Sequence, residues 1–168
     1  MNYRIKLRGQ SSPDQKSPTV KVLLIAFIGA SLAGASLGLL TESSQQALIM
    51  GSFGASIFLV MAVPDLPFAQ PRNVLAGHFL ASAIGLACFH FIGEGFFIMG
   101  IALGLTTVAM LFFKVAHPPA SSNPIAIFLA GPDWSFLVTP TLAGALVIVA
   151  LGIAYNNVWG DRAYRKYC

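Results

Sequence analysis

Charged residues are scarce in this sequence of 168 residues. They make up 10% of the chain, whereas hydrophobic residues make up 56%. A soluble globular domain carries about a quarter charged residues, so this chain has too little polar side-chain surface to cover a water-soluble body. The composition excludes an ordinary cytosolic enzyme, a secreted disulfide-rich domain and a disordered tail. It predicts an integral protein of the lipid bilayer.

Cysteines and acids are also few. Cys88 lies inside an apolar run and Cys168 is the last residue, so their spacing indicates neither a disulfide framework nor a zinc site. No P-loop, Gly-x-Ser-x-Gly or paired-carboxylate motif is present, and we expect neither an enzyme nor a bound cofactor. None of the six acids lies clearly inside an apolar run, which disfavours a carboxylate-based cation pathway. The acids occupy flanking arms and turns: Asp14, Asp161, Glu42, Asp65, Glu94 and Asp133.

Basic residues lie mainly at the two ends of the sequence. Because such residues flanking apolar spans stay on the cytoplasmic side, we expect cytoplasmic N- and C-termini and no nucleic-acid partner. Five of them precede the first apolar run, namely Arg4, Lys6, Arg8, Lys16 and Lys21, and Arg162, Arg165 and Lys166 follow the last one.

The apolar runs predict an all-α, polytopic transmembrane helix bundle. A helix rises about 1.5 Å per residue, so about 20 residues cross a hydrocarbon core about 30 Å thick. We predict five full spans: Val22–Leu40, Ala47–Val63, Val74–Ile92, Phe96–Phe113 and Phe136–Tyr155. Pro119–Ala130 adds a short, broken helix. Residues 1–19 are expected to form a flexible cytoplasmic arm, residues 20–155 the transmembrane domain and residues 156–168 a basic cytoplasmic tail.

A weak internal repeat relates the two halves. The first copy reads Ile57-Phe58-Leu59, Pro64-Asp65, Phe68, Pro71 and Leu75-Ala76-Gly77, and the second reads Ile127-Phe128-Leu129, Pro132-Asp133, Phe136, Pro140 and Leu142-Ala143-Gly144. A true duplication would give three elements per copy, and an odd number of crossings inverts one copy relative to the other. Many secondary transporters have this plan. A chance match of apolar, glycine-containing segments is the alternative.

The segment Ala116–Pro124 predicts a helix that starts inside the membrane. Proline disfavours helical backbone in the preceding residue, so the previous span is expected to end near His117. Proline is tolerated in a first turn, and a new helix can begin at Pro118 or Pro119. The N–H groups of residues 120–122 and the helix dipole would then attract a small anion. The alternative is a proline kink whose donors are satisfied locally.

Three further groups of residues are predicted to lie near this segment. Gly51–Ser56 occupies the matching place in the first half and is expected to oppose His117–Asn123. Arg72 and Asn73 are expected at the cytoplasmic mouth, and His78 lies inside the third span, where ionisable side chains are candidates for function. The alternatives are close helix packing for the glycines and interfacial anchoring for Arg72.

Three motifs in this order resemble the HPP family, which is named for a His-Pro-Pro motif. They are Gly51-Ser52-Phe53-Gly54-Ala55, then Ala69-Gln70-Pro71-Arg72-Asn73 with Gly77-His78, then Ala116-His117-Pro118-Pro119-Ala120. The resemblance covers about residues 20 to 155. Because cyanobacterial and plastid members are linked to nitrite transport, it implies a bacterial inner-membrane protein of the cyanobacterial type that moves nitrite. Ser121-Ser122-Asn123 departs from the Gly- and Ala-rich continuation of many relatives, which bears on specificity.

The residue pattern and the resemblance together predict a transporter or channel for a small inorganic anion, with nitrite first and nitrate as a further candidate. We expect the anion to be bound by His117, Pro118, Pro119, Ala120, Ser121, Ser122, Asn123, Gly51, Ser52, Gly54, Ser56, Arg72, Asn73 and His78. No metal site is expected. Because so short a chain encloses little interior, a homo-oligomer is predicted, with two Gly-x-x-x-Gly pairs at Gly34 and Gly100 as packing contacts.

Two alternative functions remain open from the sequence. A membrane assembly protein without a substrate would use the Gly-x-x-x-Gly faces for interaction. A haem- or metal-binding membrane protein would use His78, His90 and His117.

Overall fold

The computed structural model describes residues 17–44, 48–159 and 163–166. Residues 1–16 of the predicted arm, Ala47 of the second apolar run, and residues 160–162, 167 and 168 of the predicted tail lie outside these ranges. Within the described residues the chain is all helical, with no strand. The six α-helices are α1 (Val20–Ser44), α2 (Gly51–Ala62), α3 (Pro71–Phe91), α4 (Phe96–Phe112), α5 (Asn123–Ala130) and α6 (Ala143–Trp159).

Short segments that are not regular α-helix precede three of these helices. Pro67–Ala69 and Trp134–Leu137 are 3-10 turns, and Val138–Leu142, which is kinked by extended backbone at Thr139, leads into α6. The 3-10 turn Pro118–Ser122 leads into α5. Proline begins the Pro67–Ala69 and Pro118–Ser122 turns, where a first-turn residue needs no N–H partner. Helix α5 ends at Gly131, which has left-handed backbone with φ 59°.

The prediction of five full spans is not confirmed. Three segments are long and apolar enough to cross a membrane: Val20–Ser44, Pro71–Phe91 and Trp134–Trp159. Phe96–Phe112 has 17 residues, and α2 has only 12 because Met50 has extended backbone and the helix starts at Gly51. A run of apolar residues does not distinguish a helix from an extended segment buried in protein, so the apolar run Ala47–Val63 by itself predicts one continuous helix.

The elements follow the same order in both halves of the chain. A long helix, a short helix, a Pro-Asp turn, a 3-10 turn and a second long helix occur as α1 to α3 and again as α4 to α6. The contacts between helices also correspond. The contact of α1 with α2 has its counterpart in that of α4 with α5, and the contact of α3 with α5 has its counterpart in that of α6 with α2. The contact of α3 with α4 likewise corresponds to that of α6 with α1. The sequence similarity between the halves therefore coincides with a similarity of arrangement.

Glycines at corresponding positions hold the short helices against the long ones. A Cβ on Gly77 of α3 would lie 2.6 Å from Cβ of His117, and one on Gly144 of α6 would lie 2.9 Å from the Leu48 carbonyl and overlap the Phe53 ring. These two glycines are the matched Leu-Ala-Gly residues of the repeat. Each long helix therefore accepts the entry of the opposite half's short helix at a position where only a glycine fits.

Charged side chains separate between the two ends of the bundle. One end, which we call the basic end, carries Lys21, Arg72, Lys114, Arg165 and Lys166, together with Asp65. Three contacts connect it: the Tyr155 hydroxyl donates to the Ile25 carbonyl at 2.9 Å, Lys166 pairs with Asp65 at 2.6 Å, and Arg72 donates to the Phe113 carbonyl at 3.5 Å. The other, acidic end carries Glu42, Glu94 and Asp133.

Helices α2 and α5 run in opposite directions between these ends. The end of α2 lies near the basic end, where Asn156 donates to the Val60 carbonyl at 3.0 Å. The end of α5 lies near the acidic end, where a Cβ on Gly131 would meet Phe89 and where His90 contacts the Pro132 carbonyl at 3.0 Å. Large apolar side chains such as Phe27, Phe97 and Phe112 cover the outside of the bundle, as expected for a surface in contact with lipid.

Replacing Gly144 by alanine is expected to destabilise the fold by about 1–3 kcal/mol, because the added methyl group overpacks the contact with Phe53 and Leu48. Gly54→Ala on α2 is the matched control, since a Cβ there meets nothing within 4 Å. Thermal unfolding of the purified protein in detergent measures both. Equal melting temperatures for the two variants would contradict the packing described here.

Candidate functional site

One serine hydroxyl bridges two histidines in the interior of the bundle. Ser56 Oγ of α2 lies 2.8 Å from Nε2 of His78 on α3 and 2.8 Å from Nε2 of His117, which precedes Pro118. All three side chains are fully buried. His78 lies about 11 Å along α3 from Pro71, at about 1.5 Å per residue. We call Ser56, His78 and His117 the His–Ser–His cluster.

A backbone carbonyl fixes the proton position on His117. Its Nδ1 lies 2.7 Å from the carbonyl oxygen of Phe68, which can only accept a hydrogen bond. Nδ1 therefore carries the proton. In the neutral ring Nε2 is then an acceptor, and it receives the hydroxyl proton of Ser56.

Asn123 fixes the opposite tautomer on His78. The side-chain amide nitrogen of Asn123 lies 3.1 Å from His78 Nδ1 and 3.4 Å from the His78 carbonyl, so the amide donates and Nδ1 accepts. His78 Nε2 then carries the proton and donates to Ser56. The neutral cluster is a directional chain of hydrogen bonds from Asn123 through His78, Ser56 and His117 to the Phe68 carbonyl.

A second polar chain continues from Asn123 towards α6. One N–H of the Asn123 amide is shared between His78 Nδ1 and the His78 carbonyl, and the other donates to Ser82 Oγ at 2.9 Å. Ser82 Oγ lies 2.9 Å from Thr141 Oγ1. Thr141 Oγ1 in turn lies 3.8 Å from the sulfur of Met50, the residue immediately before α2. Both halves of the chain therefore contribute to one buried polar network.

Two buried polar atoms beside the cluster have no hydrogen-bond partner in the structure. They are Ser52 Oγ, one turn before Ser56 on α2, and Oδ1 of Asn123. An unpaired buried polar group costs about 1–3 kcal/mol. These atoms are therefore candidates for contact with a ligand or an ordered water, the hydroxyl as donor and the amide oxygen as acceptor.

The structure places some predicted residues in the cluster and others away from it. Ser56, His78, His117 and Asn123 come together, with Ser52 adjacent. Gly51 and Gly54 face outward instead, with nothing within 4 Å of an added Cβ. The expected opposition of Gly51–Ser56 and His117–Asn123 thus holds for the serine side of α2 only.

The donors expected after the His-Pro-Pro motif are used locally. The Ala120 N–H donates to the His117 carbonyl at 3.0 Å, and Pro118 and Pro119 have no N–H. The hydroxyls of Ser121 and Ser122 donate to the carbonyls of Pro118 and Pro119 at 2.6 and 2.9 Å. This segment closes its own hydrogen bonds as a 3-10 turn, which matches the alternative of a proline kink with locally satisfied donors and not the expected row of free donors.

Arg72 and Asn73 hold the chain that enters the cluster. Asn73 donates to the Ala116 carbonyl at 2.9 Å, and Arg72 is exposed at the basic end. A cavity of about 260 Å³ lies beside this entry. Its lining residues are Phe68, Thr107, Met110, Leu111, Ala116, His117, Pro118 and Ser121.

Residues after α6 form hydrogen bonds to the Phe68–Gln70 stretch, whose Phe68 carbonyl contacts His117. The Tyr164 hydroxyl donates to the Ala69 carbonyl at 2.7 Å, and the Lys166 N–H donates to the side-chain oxygen of Gln70 at 2.8 Å. Burial raises the pKa of the Tyr164 phenol, so the hydroxyl keeps the proton that it donates. Phe68, the residue before Ala69, is therefore held in place from outside the cluster.

Sequence reasoning missed Ser82, Thr141 and the Phe68 carbonyl. Ser82 lies four residues after His78, on the same face of α3, and this spacing could have indicated it. Thr141 follows the repeated Pro140, but nothing in the sequence points it towards Ser82. His90 lies outside the cluster. Among the described residues no group of three or more His, Cys, Asp or Glu side chains is placed to hold a metal ion.

Removing the Ser56 hydroxyl is expected to lower the stability of the ligand-free protein by about 1–3 kcal/mol, because Ser56→Ala leaves two buried imidazole nitrogens without their partner. Ser52→Ala is the matched control on the same helix. It deletes a hydroxyl that has no partner and should leave the melting temperature unchanged or slightly raised. A greater loss for Ser52→Ala would contradict the assigned bonds.

Two curated proteins of Dictyostelium discoideum, each named only as a transmembrane protein, are similar to this chain. One is 30% identical over 132 residues, which are 74% of this chain and 46% of the relative. The other is 28% identical over 149 residues, which are 84% of this chain and 48% of the relative. The chain thus spans about half the length of these relatives. Both come from a eukaryote, so similarity alone does not place this chain in a bacterial membrane.

No solved structure matches the chain. The family model for the HPP transmembrane region matches residues 15–165, which include all six helices and the His–Ser–His cluster. This chain therefore belongs to the HPP family of integral membrane proteins.

Proposed function

We propose that this protein transports a small inorganic monoanion, with nitrite as the first candidate and nitrate as the second. The observation that carries the proposal is the meeting of two short, oppositely directed segments, α2 and the Pro118–Ala130 segment, at Ser56 and His117 inside the bundle. Interrupted helices that begin near the membrane midplane form the substrate sites of many secondary transporters.

The matching halves support an inverted repeat. Each half supplies three crossings if its short helix and the irregular segment before it cross together, and three crossings invert the second half. Both termini then lie on one side, as the shared location of Lys21 and Lys166 at the basic end supports. We assign the basic end to the cytoplasm, where positively charged residues accumulate.

The preference for an anion rests on the groups around the cluster. The start of α2 carries the positive end of a helix dipole and has no side-chain cap. Ser52 offers an unpaired hydroxyl there. No acidic residue lies within α2, α3, α4 or α5 to repel an anion. Arg72 at the basic end would attract the anion towards the entry.

The choice of nitrite rests on the family resemblance, since the similar curated proteins are named only as transmembrane proteins. Nitrite is a planar monoanion of three atoms, so it needs little volume and few donors. The hydroxyls of Ser121 and Ser122 donate to the Pro118 and Pro119 carbonyls and can still accept hydrogen bonds, so in this proposal they contact water and do not donate to the anion.

A homo-oligomer is part of the proposal. The glycines of both Gly-x-x-x-Gly pairs have no atom within 4 Å of an added Cβ, which leaves two small-residue faces on the outside of α1 and α4. Such faces allow close approach of a second helix in a membrane.

Nitrite uptake into proteoliposomes tests the proposal. His117→Asn and Ser56→Ala are each expected to lower the initial rate by about tenfold or more, the effect of losing about 1.4 kcal/mol at the site. Ser121→Ala is expected to have a smaller effect because its hydroxyl proton is bound to the Pro118 carbonyl.

The control for uptake is Ser31→Ala, on the exposed face of α1, which should transport like the unchanged protein. Uptake that equals that of protein-free liposomes would contradict the transport proposal. Unchanged uptake in both His117→Asn and Ser56→Ala would contradict the site. A visible absorption band in the purified protein would instead favour haem binding.

A further inference from the structure

We infer that the His–Ser–His cluster takes up one proton with each anion, so that transport is an electroneutral symport of proton and monoanion. This inference rests on the proposed function. It follows from how many hydrogen bonds the cluster can make before and after a proton is added.

In the neutral cluster the hydroxyl proton of Ser56 has two acceptors within reach. His117 Nε2 lies at 2.8 Å and the Ser52 carbonyl, one turn earlier on α2, lies at 3.1 Å. A hydroxyl has one proton to donate, so only one of the two can receive it fully. The shorter bond goes to His117 because its Nε2 must accept when Nδ1 donates to the Phe68 carbonyl.

Adding a proton to His117 Nε2 exchanges these partners without moving a heavy atom. The new N–H forms by use of the ring lone pair, and it donates to Ser56 Oγ. The Ser56 hydroxyl then rotates and donates to the Ser52 carbonyl. Ser56 Oγ accepts from both imidazoles through its two lone pairs. Both protonation states therefore have every polar atom of the cluster paired.

The same exchange explains why the cluster contains one serine and two histidines. His78 already donates through Nε2 in the neutral state, and its Nδ1 accepts from Asn123. A second proton, on His78 Nδ1, would place that N–H against the donating amide nitrogen of Asn123. The cluster consequently holds one extra proton, on His117, and rejects a second.

Among the described residues, no other ionisable group lies within hydrogen-bond distance of His78 or His117 to supply or cancel that charge. Helices α2, α4 and α5 and the Pro67–Ala69 and Pro118–Ser122 turns contain no Asp, Glu, Lys, Arg, Cys or Tyr. The titratable and charged residues on the remaining packed elements and the adjoining segments make no contact with the cluster in the structure: Arg72, Cys88, His90, Tyr155, Lys114 and Asp65.

An anion beside the cluster supplies the missing charge. A single charge inside the membrane is expensive, whether it is an imidazolium or an anion. The two together are neutral, and each favours the binding of the other, by the same factor in both directions. Ser52, whose carbonyl accepts the displaced Ser56 proton, also carries the unpaired hydroxyl that would meet the anion.

Proteoliposomes containing a pH-sensitive dye test the inference. An inward proton gradient is expected to accelerate nitrite uptake, nitrite uptake is expected to carry protons inward at one per anion, and a membrane potential set by potassium and valinomycin is expected to have no effect. Protein-free liposomes measure the passive entry of the conjugate acid, and these rates are subtracted. His117→Asn should lose the proton movement and the dependence on the gradient.

Two variants serve as controls. His90→Asn makes the same substitution on α3 outside the cluster and should retain coupled transport. Ser56→Thr keeps the hydroxyl and should retain more coupling than Ser56→Ala. Nitrite uptake that responds to membrane potential and moves no proton would overturn this inference while leaving the transport proposal standing. Absence of uptake under every gradient would overturn both.

A binding measurement gives a readout that does not require transport. In weakly buffered detergent solution near neutral pH, nitrite binding is expected to remove close to one proton per site from the solution, and His117→Asn should abolish this uptake. Binding without proton uptake by the unchanged protein would overturn the inference. If the His117→Asn protein does not fold, Ser56→Ala is the deciding variant. It should show weaker proton uptake than Ser56→Thr.

Discussion

A single hydroxyl proton shared between competing acceptors is the constraint on which the site depends. Ser56 contacts two imidazoles and one carbonyl, and it can donate to only one of them. The carbonyl of Phe68 and the amide of Asn123 fix the two histidines in opposite tautomers. In a membrane interior an unpaired polar group is costly, so these fixed partners determine which rearrangements are available.

The fold serves to bring these partners together from distant parts of the chain. Ser56 and His117 are separated by 61 positions, and they meet because α2 and the Pro118–Ala130 segment both begin in the interior. Gly77 allows the His117 backbone to approach α3, and Gly144 allows the start of α2 to approach α6. Tyr164 and Lys166 hold the Phe68–Gln70 stretch in place by hydrogen bonds at the basic end.

Composition and the His-Pro-Pro motif predicted the membrane location, the all-helical class, the family and the interruption after α4. The prediction that Ala47–Val63 is a full span is not confirmed, because its helix has only 12 residues. Hydropathy carries no information on where a buried backbone becomes extended. Ser56, His78, His117 and Asn123 were among the predicted site residues, but the bridge that Ser56 makes between the two histidines depends on tertiary packing. Ser82 and Thr141 meet across 59 positions, which no local pattern encodes.

The location of a bound anion tests the central claim most directly. Bromide is a monoanion that anomalous X-ray scattering identifies by element, and nitrite should displace it. The account predicts one bromide peak within hydrogen-bond distance of the Ser52 hydroxyl, between the start of α2 and His117, which disappears in nitrite. Bromide bound only at the ends of the bundle, or a peak between α2 and His117 that nitrite leaves unchanged, would contradict it.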